Sequence, residues 1–160
     1  MHRRDGLRTL LALAGAAAWP LAARAHHGWS SFDQTRPVWL QGRASAVRWR
    51  NPHAELKLTL DPGLKLPADL AQRKPPAQQA AVDGPALLAA ARLPTRADKV
   101  WDVELAPLPR MQAWGVPEIT DGSALAVLGF TFAGEKGDPV LRAEYLFLGD
   151  KVYGLRSSPA

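Results

Sequence analysis

Three histidines near the start of the chain are the residues best suited to chemistry: His26, His27 and His53. The first two directly follow Ala23-Arg24-Ala25, whose small residues are typical of a signal-peptidase site. Cleavage there makes His26 the first mature residue, with an α-amine and an Nδ1 that together chelate one Cu(II). An imidazole from His53 or His27 then completes a T-shaped set of three nitrogens. Such a tetragonal nitrogen set favours copper, with nickel or zinc as second choices.

This donor set resembles the histidine brace of copper-dependent oxidative enzymes and periplasmic copper carriers. We predict that Asn51, which is not itself a ligand, orients the His53 ring. Trp29, Phe32 and Trp49 are expected to pin the N-terminal arm against the folded domain. The alternative interpretation stays open: His26 and His27 belong to a solvated terminus, and His53 is a turn residue bonded to a carbonyl.

Residues 1–25 have the three parts of a secretory signal peptide. Basic residues open it, an apolar run follows from Leu10 to Leu21, and Ala23 and Ala25 end it. The paired Arg3-Arg4 also fits a twin-arginine signal, so both the Sec and the twin-arginine routes remain open. We therefore predict a periplasmic protein with no stable membrane span after signal cleavage.

The charge balance of the expected mature chain argues against nucleic-acid binding. The whole chain carries +5, but residues 1–25 account for +3 of it, which leaves only +2. So weak a charge gives no electrostatic reason to bind phosphates. The chain has no cysteine, so disulfides and thiolate metal sites are excluded. No Ser-His-Asp elbow, phosphate loop or HExxH string is present, and metal binding or delivery is favoured over an enzyme.

Alternating apolar residues predict a mainly β domain with one short helix. The order is strand, strand, strand, helix, strand, strand, which is typical of a small OB-like five-stranded barrel. A hairpin tip is expected at Asn51-Pro52-His53, and Gly42 is expected to mark a bend or bulge in the first strand. The predicted strands are residues 38–50, 54–60, 100–106, 124–132 and 140–148, with 151–155 as an extension or a last strand; the helix lies between Pro109 and Gly115.

We divide the chain into the signal (1–25), an N-terminal arm (26–37) and one β-barrel domain (38–160). Residues 61–99 interrupt the domain with six prolines, ten alanines and no aromatic residue. That composition predicts a long, flexible, Ala/Pro-rich surface insertion that adds little to a core. Its one credible helix is residues 84–93, where Pro85 suits the first turn.

Four strings carry a resemblance to a known family: AHHGWSSFD, VRWRNPHAEL, VWDVELAPLPRMQAWGV and GFTFAGEKGDPVLRAEYLFLGDKVYGL. They are similar to an exported bacterial family of unknown function, the domain of unknown function 6152 family. The paired histidines and the string Trp49-x-Asn51-Pro52-His53 are its most specific marks. Asp121-Gly122 stands where the family has Gly-Asp, and most members have a shorter insertion. The resemblance implies the domain boundaries and the exported address, but no activity.

Other notable side chains have ordinary structural interpretations. The tryptophans are expected to form core and rim rather than a ligand cage. Asp102 and Glu104 share one face of a strand and are expected to be solvated, and Met111 is expected to fill an apolar gap. The alternative to a metal site is a non-catalytic OB-like module that binds a glycan, a peptide or an envelope protein. In another variant, the 61–99 insertion docks an envelope partner.

Overall fold

Six strands, two short α-helices and three single-turn 3-10 helices make up the regular structure of residues 28–160, the part of the chain that the computed structural model describes. The predicted signal, His26 and His27 lie outside these described residues. No helix in them is long and apolar enough to cross a bilayer. The elements are β1 (Val38–Arg48), β2 (Glu55–Leu60), α1 (Gly84–Ala89), β3 (Val100–Glu104), α2 (Leu108–Ala113), β4 (Ala124–Phe130), β5 (Val140–Leu148) and β6 (Lys151–Gly154).

The first five strands close into a barrel. The sheet order is β3-β2-β1-β4-β5-β6, and a further parallel pairing of β3 with β5 joins its ends. All other neighbours are antiparallel. Closure leaves β6 as one extra strand beside β5, and α2 lies between β3 and β4 in the chain. The predicted OB-like barrel is therefore confirmed.

The barrel interior is filled by the inward-facing residues of each strand. Leu56 and Leu58 of β2 and Trp101 and Val103 of β3 are at most 3% exposed, while their chain neighbours face outward. Met111 of α2 joins the same cluster with no exposed surface, so it fills an apolar gap as expected. The period-two pattern that predicted the strands is thus the pattern of one closed core.

The bulge in β1 lies three to six residues beyond the position that the sequence suggested. The β1–β2 register shifts between Ser45 and Arg48, and Ala46 has a φ of 48°. Gly42 stays in register, and it is required because a Cβ there would overlap the backbone carbonyl of Thr59. The expectation of a bulge at Gly42 is therefore wrong. The glycine permits close approach of two strands instead.

The insertion covers the outside of β1, β4 and β5. Leu70 and Leu88 are 3% and 2% exposed and pack with Trp39, Tyr145 and Phe147 in a second apolar cluster. The predicted helix is shorter than expected, α1 ending at Ala89, and Asp83 caps its start by accepting from the amide of Ala86. Two leucines of the insertion thus enter a core despite its composition. Its flexibility stays a prediction.

Candidate functional site

His53 lies at the end of the barrel where β1 turns into β2. It is half-buried and comes two residues before Glu55, the first residue of β2. The backbone continues the β2–β3 ladder here, because the Ala54 amide donates to the Ala106 carbonyl and the Leu105 amide to Ala54. Since Ala54 is buried in the core, His53 and Glu55 occupy the outward-facing positions of this stretch.

A row of charged side chains crosses the outer face of four neighbouring strands, β1, β2, β3 and β5. Glu55 of β2 is paired in register with Glu104 of β3, and Glu104 with Arg142 of β5. The Arg142 Nη1 lies 3.3 Å from the Glu104 Oε2. At the other end of the row, the Arg48 Nη1 lies 3.1 Å from the Glu55 Oε1. His53 therefore adjoins a face on which two neighbouring carboxylates, Glu55 and Glu104, are flanked by Arg48 and Arg142.

The N-terminal arm packs on the far end of this row. The centroid of the Trp29 ring is 5.1 Å from the guanidinium carbon of Arg142 and 3.8 Å from that of Arg156. The same ring meets Phe130 edge-on at 6.3 Å, and the Phe32 ring stacks on Phe132 at 5.1 Å. Aromatic and cation–π contacts of this kind hold the arm against the barrel.

Arg142 is the most strongly buried cation of this face. Its side chain is 7% exposed, and burial lowers the pKa of its guanidinium while the Glu104 carboxylate opposes that shift. Its Nε has no hydrogen-bond partner within residues 28–160. The Trp29 ring lies over this guanidinium, and the cation–π contact offsets part of the cost of burying it. The arm and the barrel face therefore belong to one structural unit.

The predicted site residues have different placements. Trp29 packs over Arg142 as described, whereas Trp49 is half-buried against the main core. Asn51 is exposed and precedes a cis peptide bond to Pro52. His26 and His27 lie outside the described residues. Within residues 28–160, no three His, Cys, Asp or Glu side chains lie close enough to bind a metal ion.

Asp102 and Glu104, the two carboxylates of β3, are ion-paired rather than simply solvated. The Lys57 Nζ lies 2.9 Å from the Asp102 Oδ1, and Glu104 pairs with Arg142. Both carboxylates are half-buried. No local pattern predicts that Arg142 and Arg156 contact the arm, because the two arginines are 113 and 127 residues from Trp29 in the chain.

A separate cavity of about 380 Å³ opens where the insertion leaves and rejoins the barrel. Leucines 60, 64 and 93 line it together with Asp61, Arg96 and Lys99, and neither His53 nor Trp29 reaches it. The Arg96 side chain makes its contacts within the protein. Its Nε lies 2.6 Å from the Asp98 Oδ2, and its Nη1 donates to the carbonyls of Glu135 and Gly137. The cavity and the His53 face are therefore distinct places on the molecule.

Comparison with known proteins identifies one family. The model of a family of unknown function (DUF6152) matches residues 13–63. This range contains the paired histidines and the string that ends at His53, and it confirms the resemblance over that part of the chain. No curated protein matches, and no solved structure matches. The function of this family is unknown, so any function has to be argued from the site.

Proposed function

We propose that this protein is an exported Cu(II)-binding protein whose site forms between the mature N-terminus and His53. In this proposal the His26 amine and Nδ1 chelate the ion, and the His53 imidazole supplies the third nitrogen. The role is binding or delivery of the metal rather than catalysis. The observation that carries the proposal is the anchoring of Trp29 on Arg142, which holds the arm on the face that adjoins His53.

The distances favour this arrangement. Trp29 packs on β5, while His53 precedes β2, and only β3 lies between these two strands on the closing side of the barrel. Neighbouring strands are about 4.8 Å apart, so about 10 Å separates β5 from β2. The segment from Trp29 back to His26 spans three residues and extends over roughly 10 Å. This length is comparable to the lateral separation of the two strands, which supports the proposal.

Two carboxylates of this face lie beside His53, each in an ion pair with an arginine. Glu55 and Glu104 stand opposite each other on β2 and β3, directly beside the outward position of His53. Each is half-buried, where the effective dielectric constant is below that of water and a nearby divalent ion is attracted more strongly.

The alternative function is a non-catalytic OB-like module for a glycan, peptide or envelope protein. Proteins of this fold bind oligosaccharides and oligonucleotides on the face of strands two and three. Here that face carries ion-paired acidic and basic side chains. The five tryptophans of residues 28–160 are all buried or half-buried, so none offers a fully exposed ring for stacking. These features support the metal site over the module.

The test begins with mass spectrometry of the exported protein, which should show a chain starting at His26. Titration of that protein with Cu(II), followed by electron paramagnetic resonance, should then give a type 2 signal with nitrogen couplings. An alanine inserted before His26, and separately His53→Ala, should each weaken binding at least about 10- to 100-fold, the range seen when support for a metal ligand is lost.

His27→Ala is the matched control, because it lies in the same segment but supplies no ligand in this proposal. Its Kd for copper should stay within about threefold of the original value. The corresponding change in binding free energy is well below that of a tenfold change in Kd. Near-ultraviolet circular dichroism of each variant checks that the barrel is intact. A different mature start, or unchanged affinity in both ligand variants, would contradict the proposal and favour the OB-like module.

A further inference from the structure

Gln78 of the insertion joins the barrel and the C-terminal segment through both ends of its amide. The Nε2 donates to the Glu144 Oε1 at 3.0 Å. The Oε1 accepts from the backbone amides of Arg156 and Ser157, each at 3.0 Å. A Cβ at Gly154 would overlap this side chain, so Gly154 leaves the room that it occupies. Only a side chain that donates and accepts can make this set of bonds.

Glu144 is the fully buried group that receives the Gln78 donor. It has no exposed surface, and its other oxygen, Oε2, contacts the Arg156 Nε at 2.7 Å and Nη2 at 2.6 Å. A buried carboxylate needs such partners, because burying an uncompensated charge costs several kcal/mol. Gln78 and Arg156 therefore satisfy Glu144 from two sides.

Arg156 carries this arrangement to the N-terminal arm. While one edge of the guanidinium faces Glu144, its Nη1 donates to the Gln34 Oε1 at 2.8 Å. Its carbon lies 3.8 Å from the centroid of the Trp29 ring. The guanidinium is planar and rigid, so fixing its edge on Glu144 also fixes the face on which Trp29 packs. Both arm contacts thus depend on the orientation that Glu144 imposes.

We propose that Gln78 is a positioning residue for the N-terminal arm, acting through Glu144 and Arg156. Docking of the 61–99 insertion and ordering of the arm are then one coupled equilibrium. Release of the insertion removes the Glu144 donor, loosens Arg156 and lowers the fraction of molecules whose arm is in place. In so far as it concerns copper, this inference rests on the proposed function. The apparent metal affinity falls by the same factor as that fraction.

The test compares three variants in the metal-free protein by hydrogen exchange with mass spectrometry. Gln78→Ala should speed exchange of the arm amides in residues 28–37 by about tenfold or more, with little change in β2, which marks the barrel. Gln78→Glu should do the same, because it keeps the acceptor for Arg156 and Ser157 but places a second carboxylate at Glu144. Gln79→Ala is the control, since its exposed side chain makes none of these bonds, and its arm should exchange at the original rate.

Equal acceleration in the arm and in β2 would overturn the inference, because it would show a purely structural role. If the arm amides of Gln78→Glu exchanged at the original rate, the proposed coupling through Glu144 would be wrong. Gln78→Glu also provides the test if Gln78→Ala fails to fold. Copper titration of the same variants separates the two proposals. If substitution of Gln78 speeds exchange of the arm amides but the protein binds no copper, only the proposed function is contradicted. Unchanged exchange with intact copper binding contradicts only the positioning role.

Discussion

Arg142 of β5 and Glu104 of β3 form an ion pair across the parallel strands that close the barrel, with 3.3 Å between Nη1 and Oε2. The pair is shielded by the Trp29 ring of the arm, which lies over the guanidinium. The Arg142 guanidinium therefore takes part both in closing the barrel and in attaching the arm.

Replacement of Arg142 by alanine should destabilise the protein by about 2–4 kcal/mol. The change leaves Glu104 half-buried without this cation and removes the surface on which Trp29 rests; breaking fully buried pairs costs 3–5 kcal/mol. Urea denaturation followed by circular dichroism measures the loss. Arg50→Ala, at an exposed position of the hairpin tip, should change stability by less than about 0.5 kcal/mol. Equal effects of the two changes would show that the closing pair contributes nothing.

The insertion should contribute to the stability of the whole domain. Leu88→Ala is expected to cost about 2–4 kcal/mol, because Leu88 is 2% exposed and packs in the cluster with Trp39 and Phe147. Leu66→Ala, in the same insertion but 37% exposed, should cost well under 1 kcal/mol. Both values come from urea denaturation curves. A cost for Leu88→Ala as small as that for Leu66→Ala would mean that the insertion is not docked in solution.

Two glycines should respond very differently to alanine. Gly42→Ala forces a Cβ onto the backbone carbonyl of Thr59, and because backbone cannot move aside, a loss of about 2–3 kcal/mol or more is expected. Gly115→Ala meets no atom within 4 Å, and its φ of 66° costs only about 1 kcal/mol. Thermal unfolding of the two variants gives the comparison. A milder effect at position 42 than at 115 would contradict the close approach of β1 and β2.

The turn at the end of the arm should show a measurable pKa change. The Thr35 hydroxyl, with its backbone amide, donates to the Asp33 carboxylate and lowers the Asp33 pKa below 3.8. Thr35→Val should raise that pKa towards 3.8, as followed by carbon-detected nuclear magnetic resonance. Thr59→Val, on the outer face of β2, is the control and should leave Asp33 unchanged.

The sign of the stability effect follows from the direction of this shift. Because the folded pKa lies below the unfolded value, the bond stabilises the protein at pH values above the unfolded pKa. The contribution is lost as the pH falls through the folded pKa. The stability difference between the original protein and Thr35→Val should therefore be present at neutral pH and vanish in strong acid. A difference that persists in acid would contradict this origin.

Part of the barrel was predictable because β2 and β3 show a strict period of two. Leu56 and Leu58 alternate with polar residues, and Trp101 and Val103 do likewise, so each strand could be read from local sequence. The position of the bulge was not predictable in this way. Ala46 adopts a positive φ that alanine seldom shows, and the Asp121 side chain, from the turn before β4, accepts from the Val47 amide beside it. A contact between positions so distant leaves no local pattern.

Burial of the face that the arm and the insertion cover could not be predicted from the sequence either. Arg142 and Glu144 occupy alternate positions of β5 that would suit a solvated strand face, yet they are 5% and 0% exposed. Trp29 and Gln78 are among the residues that cover this face. They belong to the two segments that were predicted to be an N-terminal arm and a surface insertion. His53, by contrast, was correctly expected at the hairpin tip, because Asn51-Pro52 signals a turn on its own.

The docking of the insertion also bears on how the chain avoids self-association while it folds. β6 has a strand neighbour on one side only, and beside it the Gln79 amide donates to the Ser158 carbonyl while Gln78 fills the room at Gly154. An uncovered edge strand is a template on which a second chain adds its own strand. A nascent molecule whose barrel has closed but whose insertion is still undocked exposes that edge. Aggregation during refolding should therefore depend on how fast the insertion docks, and deletion of residues 61–99 should make the barrel prone to edge-to-edge assembly.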